Sequence, residues 1–208
     1  MDFTYEEKST GLTLETYEWD HVWFEHAPDN TKKRVLLIGD SITCGTKPVI
    51  NNIAHGEFYA DLLGTSKALD NPNFISAIDY VVSQEQRLDA IQFNNGLHGW
   101  HLDAKAYEEN YRRVIAHIIE KCPGVRVVIA LTTPVRVQGQ LEKFAPRTEI
   151  VKERNEAAKK IASEFSLDVT DLYSAVADRH ELWCDDAVHF LDEGYTVIAE
   201  TCIKNLRF

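Results

Sequence analysis

The chain has 208 residues, with 22 Lys plus Arg against 33 Asp plus Glu, a formal net charge of −11. That length fits one domain, or one domain with a small extension, and is enough to bury a core without disulfide or metal staples. The negative balance repels phosphate backbones and anionic surfaces, which argues against nucleic-acid and membrane partners.

The opening MDFTYEEKSTGL has neither a basic n-region nor an apolar h-region, so no signal peptide is visible. The four cysteines, Cys44, Cys122, Cys184 and Cys202, show no CxxC spacing. They read as free thiols, and a reducing cytoplasm is the expected location. Residues 1–30 hold Trp19, His21, Trp23, Phe24 and His26 among acids. They alternate too irregularly for a helix and read as an N-terminal arm with short strands, closed by a turn at Asp29-Asn30. The main domain is expected to run from 31 to 208.

From Arg34 the texture changes. Val35-Leu36-Leu37-Ile38 is a continuous apolar run between polar residues, the mark of a strand buried on both faces. Similar runs follow at Phe58–Leu63, Ala90–Phe93 and Val125–Leu131, with a weaker one at Leu167–Val169. Between them, Asn71-Pro72 opens a helix in N-cap and N1 order. Asp103 opens another through Tyr107, Tyr111, Val114, Ile115, Ile118 and Ile119, ending before Pro123-Gly124. A polar-faced helix is expected over Arg147–Phe165, and a last one from Asp192 through Ile198 and Cys202 to Ile203. Strands alternating with helices predict a three-layer α/β/α sandwich around a five-stranded parallel sheet.

In such sheets ligands bind beyond the carboxyl ends of the strands, where the connection direction reverses. In a flavodoxin-like order 2-1-3-4-5, the segment Gly39-Asp40-Ser41-Ile42-Thr43 after the first strand would face Asn94-Asn95-Gly96-Leu97-His98-Gly99 after the third. Ser41 has a nucleophile's context: a buried strand, a glycine that lets the chain turn, then a helix N-terminus that favours developing negative charge. The same context suits a helix-capping serine. Near the C-terminus, Asp186 and His189 are three apart, so on a helical or near-helical turn they share a face. One imidazole nitrogen could then bond the carboxylate while the other reaches a serine.

The order GDSIT, NNGLHG and DAVH resembles the SGNH (GDSL-like) hydrolase superfamily from Arg34 onward. The resemblance implies a serine esterase with a triad of Ser41, His189 and Asp186, no cofactor and no metal. It also implies an oxyanion hole made of the Ser41 N–H, a glycine N–H after the second strand, and an asparagine side chain after the third. The family pattern laid on Gln92-Phe93-Asn94-Asn95 selects Asn94, with Asn95 standing where Asp is usual; a one-residue shift selects Asn95. The family glycine falls near Lys67, and Gly64 is the nearest glycine. Asp40, Asn95, His98, Trp100 and Arg136 are the expected substrate contacts. The expected substrate is a small-molecule ester, with an acylated, mainly acetylated, carbohydrate in view. Two other readings stay open: a carbohydrate-binding protein without turnover, and a flavodoxin-like module cradling a phosphate at Gly39–Thr43.

Overall fold

The computed structural model describes residues 11–206. In chain order the elements are β1 (Asp20–Trp23), β2 (Lys33–Gly39), α1 (Ser41–Ala54), β3 (Phe58–Thr65), α2 (Pro72–Gln84), β4 (Ala90–Phe93) and α3 (Ala104–Lys121). There follow β5 (Arg126–Ala130), β6 (Arg136–Val137), β7 (Gln140–Phe144), α4 (Arg147–Phe165), β8 (Asp168–Thr170), α5 (Leu172–Val176) and α6 (Asp192–Leu206). Five strands run parallel in the order β3-β2-β4-β5-β8, the expected flavodoxin-like arrangement.

Period-two alternation builds the two cores. Val35 and Leu37 of β2 join residues of α1, α5 and α6 on one face, while Leu36 and Ile38 join α2, α3 and α4 on the other. All four side chains are fully buried, each contributing about 1.5–3 kcal/mol through burial. Local chemistry sets the helix ends. Asn71 caps α2 through Asn73 N, with Pro72 at the first position, and Asp103 caps α3 through Ala106 N at 2.8 Å.

Two features go beyond the expected sheet. Residues 20–23 of the arm form β1, which pairs antiparallel with β3 from Asp20↔Thr65 to Trp23↔Leu62. β1 covers an edge whose backbone groups would otherwise stay unpaired. Residues 1–10 of the arm lie outside the described residues. After β5 the chain also makes a β6–β7 hairpin that turns at Gly139, φ 76°.

Among the described residues no helix is long and apolar enough to cross a membrane. The order reverses at β2, whose neighbours are β3 and β4, so the loops after these three strands meet at one edge.

Candidate active site

Ser41 is the first residue of α1, directly beyond β2. The turn needs Gly39, because a Cβ there would lie 2.1 Å from Thr43 Oγ1. Asp40 caps the helix, its Oδ1 accepting from Ile42 N at 2.9 Å. This corrects the expectation that Asp40 contacts substrate. It is 2% exposed, burial pushes its carboxyl up, and its work is to hold the helix start that presents Ser41. The Ser41 N–H belongs to the first turn of α1, where helix amides point out of the helix end.

His189 Nε2 lies 2.8 Å from Ser41 Oγ, and His189 Nδ1 lies 2.7 Å from Asp186 Oδ2. The carboxylate is fixed by the backbone: Asp186 Oδ1 accepts from Val188 N at 2.9 Å and His189 N at 2.8 Å. Burial would raise the Asp186 pKa, but these N–H groups and the imidazole together hold it below the ordinary value. The expected near-helical turn is instead a side-chain-closed turn with Ala187 at φ 64°. A non-glycine residue there costs about 1–2 kcal/mol. The turn is held by Ala187 N to Cys184 O at 3.0 Å and Arg136 N to Ala187 O at 2.9 Å. Beside it, Cys184 N donates to His189 O at 2.8 Å, so the histidine is anchored through its main chain as well.

The two asparagines after β4 face different surroundings. Asn94 Nδ2 donates to Ala130 O at 2.9 Å and Thr132 Oγ1 at 3.3 Å, which ties the end of β4 to the end of β5. Asn94, the first choice for the oxyanion donor, thus has its amide hydrogens engaged at the sheet end, which favours the one-residue shift to Asn95. Asn95 Nδ2 has one long contact, 3.4 Å to Lys67 O, and its Oδ1 is buried without a partner. After β3, Ser66 N donates to Trp19 O at 3.1 Å and Lys67 N to Thr65 Oγ1 at 3.1 Å. Gly64 lies within β3, where a Cβ would meet Cys44 Sγ at 2.3 Å, so that glycine serves packing.

The remaining expected contacts separate. His98 stands beside the site edge, with Nδ1 3.6 Å from Glu15 Oε1. Trp100 carries the guanidinium groups of Arg147 and Arg154 at 4.8 and 4.7 Å from its ring centroid, which corrects the reading of a ring open to substrate. Arg136 is also corrected. It is 4% exposed, stacks 4.3 Å from the Trp183 ring, and donates to Leu141 O at 2.8 Å and to Ala177 O, so it braces the β6–β7 hairpin. His101 bonds Asp70 at 2.9 Å while Asp103 caps α3. Among the described residues no group of three or more His, Cys, Asp or Glu is gathered as a metal site.

Arg154 escaped the sequence reading. Buried on α4, it donates to Gly96 O at 3.0 Å, His98 O at 2.7 Å and Gly99 O at 2.7 Å, and so moulds the loop after β4. Its signal was there: Val151, Arg154, Ala158 and Ile161 fall on one helical face, and all are buried.

A family model for the GDSL-like lipase/acylhydrolase family matches residues 93–197, about half of the chain, a stretch that holds Asn94, Asn95, Asp186 and His189. No curated protein matches the chain in sequence. Among solved structures, a lipase/acylhydrolase from Enterococcus faecalis superposes with a TM-score of 0.68 at 17% identity, covering 84% of this chain and 95% of that one. The acetyl xylan esterase AlAXEase gives 0.68 at 18% identity, covering 84% of this chain and 100% of its own. The catalytic domain of peptidoglycan O-acetyltransferase A from Streptococcus pneumoniae gives 0.61 at 16% identity, covering 84% and 93%. At these identities the likeness shows a shared fold.

Proposed function

The chain belongs to the GDSL-like lipase/acylhydrolase family and is a carboxylic ester hydrolase, and from that premise we propose that Ser41, His189 and Asp186 hydrolyse a small or sugar-linked acyl ester, chiefly an acetyl ester. The observation that carries this reading is the continuous line Ser41 Oγ–His189 Nε2–His189 Nδ1–Asp186 Oδ2, with links of 2.8 and 2.7 Å.

Asp186 accepts from Nδ1–H, which leaves the Nε2 lone pair facing the Ser41 hydroxyl. Ser41 Oγ attacks the ester carbonyl as His189 takes its proton, and the resulting imidazolium is stabilised by the carboxylate. His189 then protonates the departing alcohol. In the second half it draws a proton from water, whose oxygen attacks the acyl-serine; the acyl–Oγ bond breaks, the acid leaves, and His189 returns the proton to Ser41 Oγ. The Ser41 N–H at the start of α1 faces the developing oxyanion, and helix polarity favours charge there.

For the side-chain donor we favour Asn95, because Asn94 would first have to leave Ala130 O and Thr132 Oγ1. The acetyl preference draws on the acetyl xylan esterase and the O-acetyltransferase among the structural neighbours.

The test is covalent. A fluorophosphonate should label the protein once, at Ser41, and Ser41→Ala should remove both labelling and p-nitrophenyl acetate turnover. Labelling at Ser66 or Ser83, or turnover that persists in Ser41→Ala, would overturn the assignment.

A further inference from the structure

The N-terminal arm is bound to the same loops that surround the candidate site. Trp19 is bonded to Ser66 in both directions, Ser66 N to Trp19 O at 3.1 Å and Trp19 N to Ser66 Oγ at 2.9 Å. Asp20 continues the attachment, accepting from Thr65 Oγ1 at 2.6 Å and Lys67 Nζ at 2.5 Å. Five residues before Asp20, Glu15 Oε1 accepts from Gly99 N at 2.9 Å and lies 3.6 Å from His98 Nδ1. The segment from Glu15 to Asp20 therefore bridges the loop after β3 to the loop after β4. These two loops flank the helix start that carries Ser41.

The bridge brings an aromatic pair to that edge. The Trp19 ring meets the His98 ring edge-on, with centroids 6.3 Å apart. A Cβ placed on Gly64 would contact the Trp19 ring at 3.5 Å and Cys44 Sγ at 2.3 Å, so the indole sits over the strand end beside α1, near a residue one turn beyond Ser41. Trp19 is half-buried, and Tyr17, two residues before it, is 81% exposed. Backbone bonds fix where the Trp19 side chain starts, and the His98 ring and the strand end at Gly64 border the space left to the indole.

We propose that the Glu15–Asp20 strap is a specificity wall of the ester site, in which the Trp19–His98 pair receives the ring of a sugar alcohol leaving group and Glu15 positions that pair. The proposal rests on the esterase reading and names what that site selects. A pyranose presents an apolar C–H face that packs on an aromatic ring, and hydroxyls that bond groups at the ring's border, here Glu15 and His98. An ester of a short alcohol would leave the wall untouched.

The experiment compares two acetyl esters, an acetylated methyl xyloside and ethyl acetate, which share the acyl group and differ in the alcohol. Trp19→Ala should lower the ratio of their kcat/KM values about tenfold in disfavour of the sugar, with most of the change in KM, and Trp19→Phe should fall between. Glu15→Ala should lower the same ratio, and Glu15→Gln, whose amide oxygen still accepts from Gly99 N–H, should restore most of it. An unchanged ratio in Trp19→Ala, or equal loss on both esters in every variant, would overturn the wall.

Binding separates this test from the esterase reading. The Ser41→Ala protein should bind the acetylated methyl xyloside at least about fivefold more tightly than Ser41→Ala/Trp19→Ala does. Equal binding would reject the wall whatever turnover shows. Hydrolysis that does not depend on Ser41, together with weakened binding in the double variant, would reject the nucleophile and keep the wall.

Discussion

Two clusters centred on carboxylates lie in different parts of the sheet and are built in opposite ways. Near the amino end of β2, Arg34 Nη1 bonds both oxygens of Asp61, in the middle of β3, at 2.9 and 2.8 Å, with side-chain exposures of 3% and 0%. The same guanidinium donates through Nη2 to His26 O at 2.9 Å. At the carboxyl edge, His189 and Asp186 have side-chain exposures of 39% and 51%, and the carboxylate is positioned by backbone N–H groups. A buried ion pair is strongly coupled to folding, since losing one partner strands a charge in the interior. An exposed pair contributes little to stability. The Asp186–His189 pair is thus a poor staple but a well-oriented one, which suits chemistry.

The largest effect should come from removing the exposed set. Ser41→Ala or His189→Ala should lower kcat on p-nitrophenyl acetate by at least about 10⁴-fold, and Asp186→Asn by a similar order because the imidazole tautomer is no longer enforced. Melting temperatures should stay within a few degrees of wild type. A large loss of stability in Ser41→Ala would erase the contrast between the two clusters.

The reverse is expected at the buried pair. Asp61→Ala should destabilise by about 3–5 kcal/mol, lowering Tm by roughly 6–20 °C. Activity per folded molecule, measured well below the melt, should stay close to wild type. A kcat loss without a stability loss would show that this pair is linked to the site.

Next come the two asparagines. If Asn95 donates to the oxyanion, Asn95→Ala should lower kcat by about 10²–10³ with KM nearly unchanged. Asn94→Ala should act mainly on stability, since it cuts the bond between the ends of β4 and β5. Kinetics and thermal melts of both variants on one acetyl ester decide the matter. A pure kcat loss at Asn94 would return the role to that residue.

The same contrast explains what the sequence disclosed. Runs such as Val35–Ile38 announce themselves because burial on both faces leaves no room for polar residues, and Arg147–Phe165 has the same bounds in sequence and structure. The hairpin Arg136–Phe144 was missed because β6 has two residues and β7 is largely exposed, so neither carries an apolar period. The serine, histidine and aspartate were legible as residue types in an order. Their turn was not, since an alanine at positive φ leaves no compositional trace. Arg136 reads in sequence as a substrate contact and Arg154 carries no mark beyond its place on a helical face, because a guanidinium satisfied by carbonyls needs no acidic partner in the sequence. Glu15 was illegible for a different reason, its partners lying more than 80 positions away.

The last effect expected is a pH dependence centred on the buried cluster, spread over several pH units and partly screened because Glu85 is not fully enclosed. Glu85 lies beside Asp61, and its carboxyl is pushed up to about 8, first by burial and then by the neighbouring Asp61 charge. Burial raises Asp61 too, but Arg34 and the Glu25 N–H at 2.6 Å support its ionised form, so Glu85 is the member that keeps a proton. A folded-state pKa above the unfolded value means that the folded protein binds more protons through the interval between them. The stabilisation is fully present below the unfolded value of about 4.5. It is lost progressively as pH rises through about 8, above which both states are ionised. Wild-type Tm should therefore decline between about pH 5 and pH 8, whereas Glu85→Gln, which mimics the protonated acid, should flatten that part of the profile. Thermal melts across this range read the slope directly. A Glu85→Gln profile parallel to wild type would place the proton elsewhere in the cluster. A change in the pH profile of kcat for the same variant would mean that the two clusters are coupled after all.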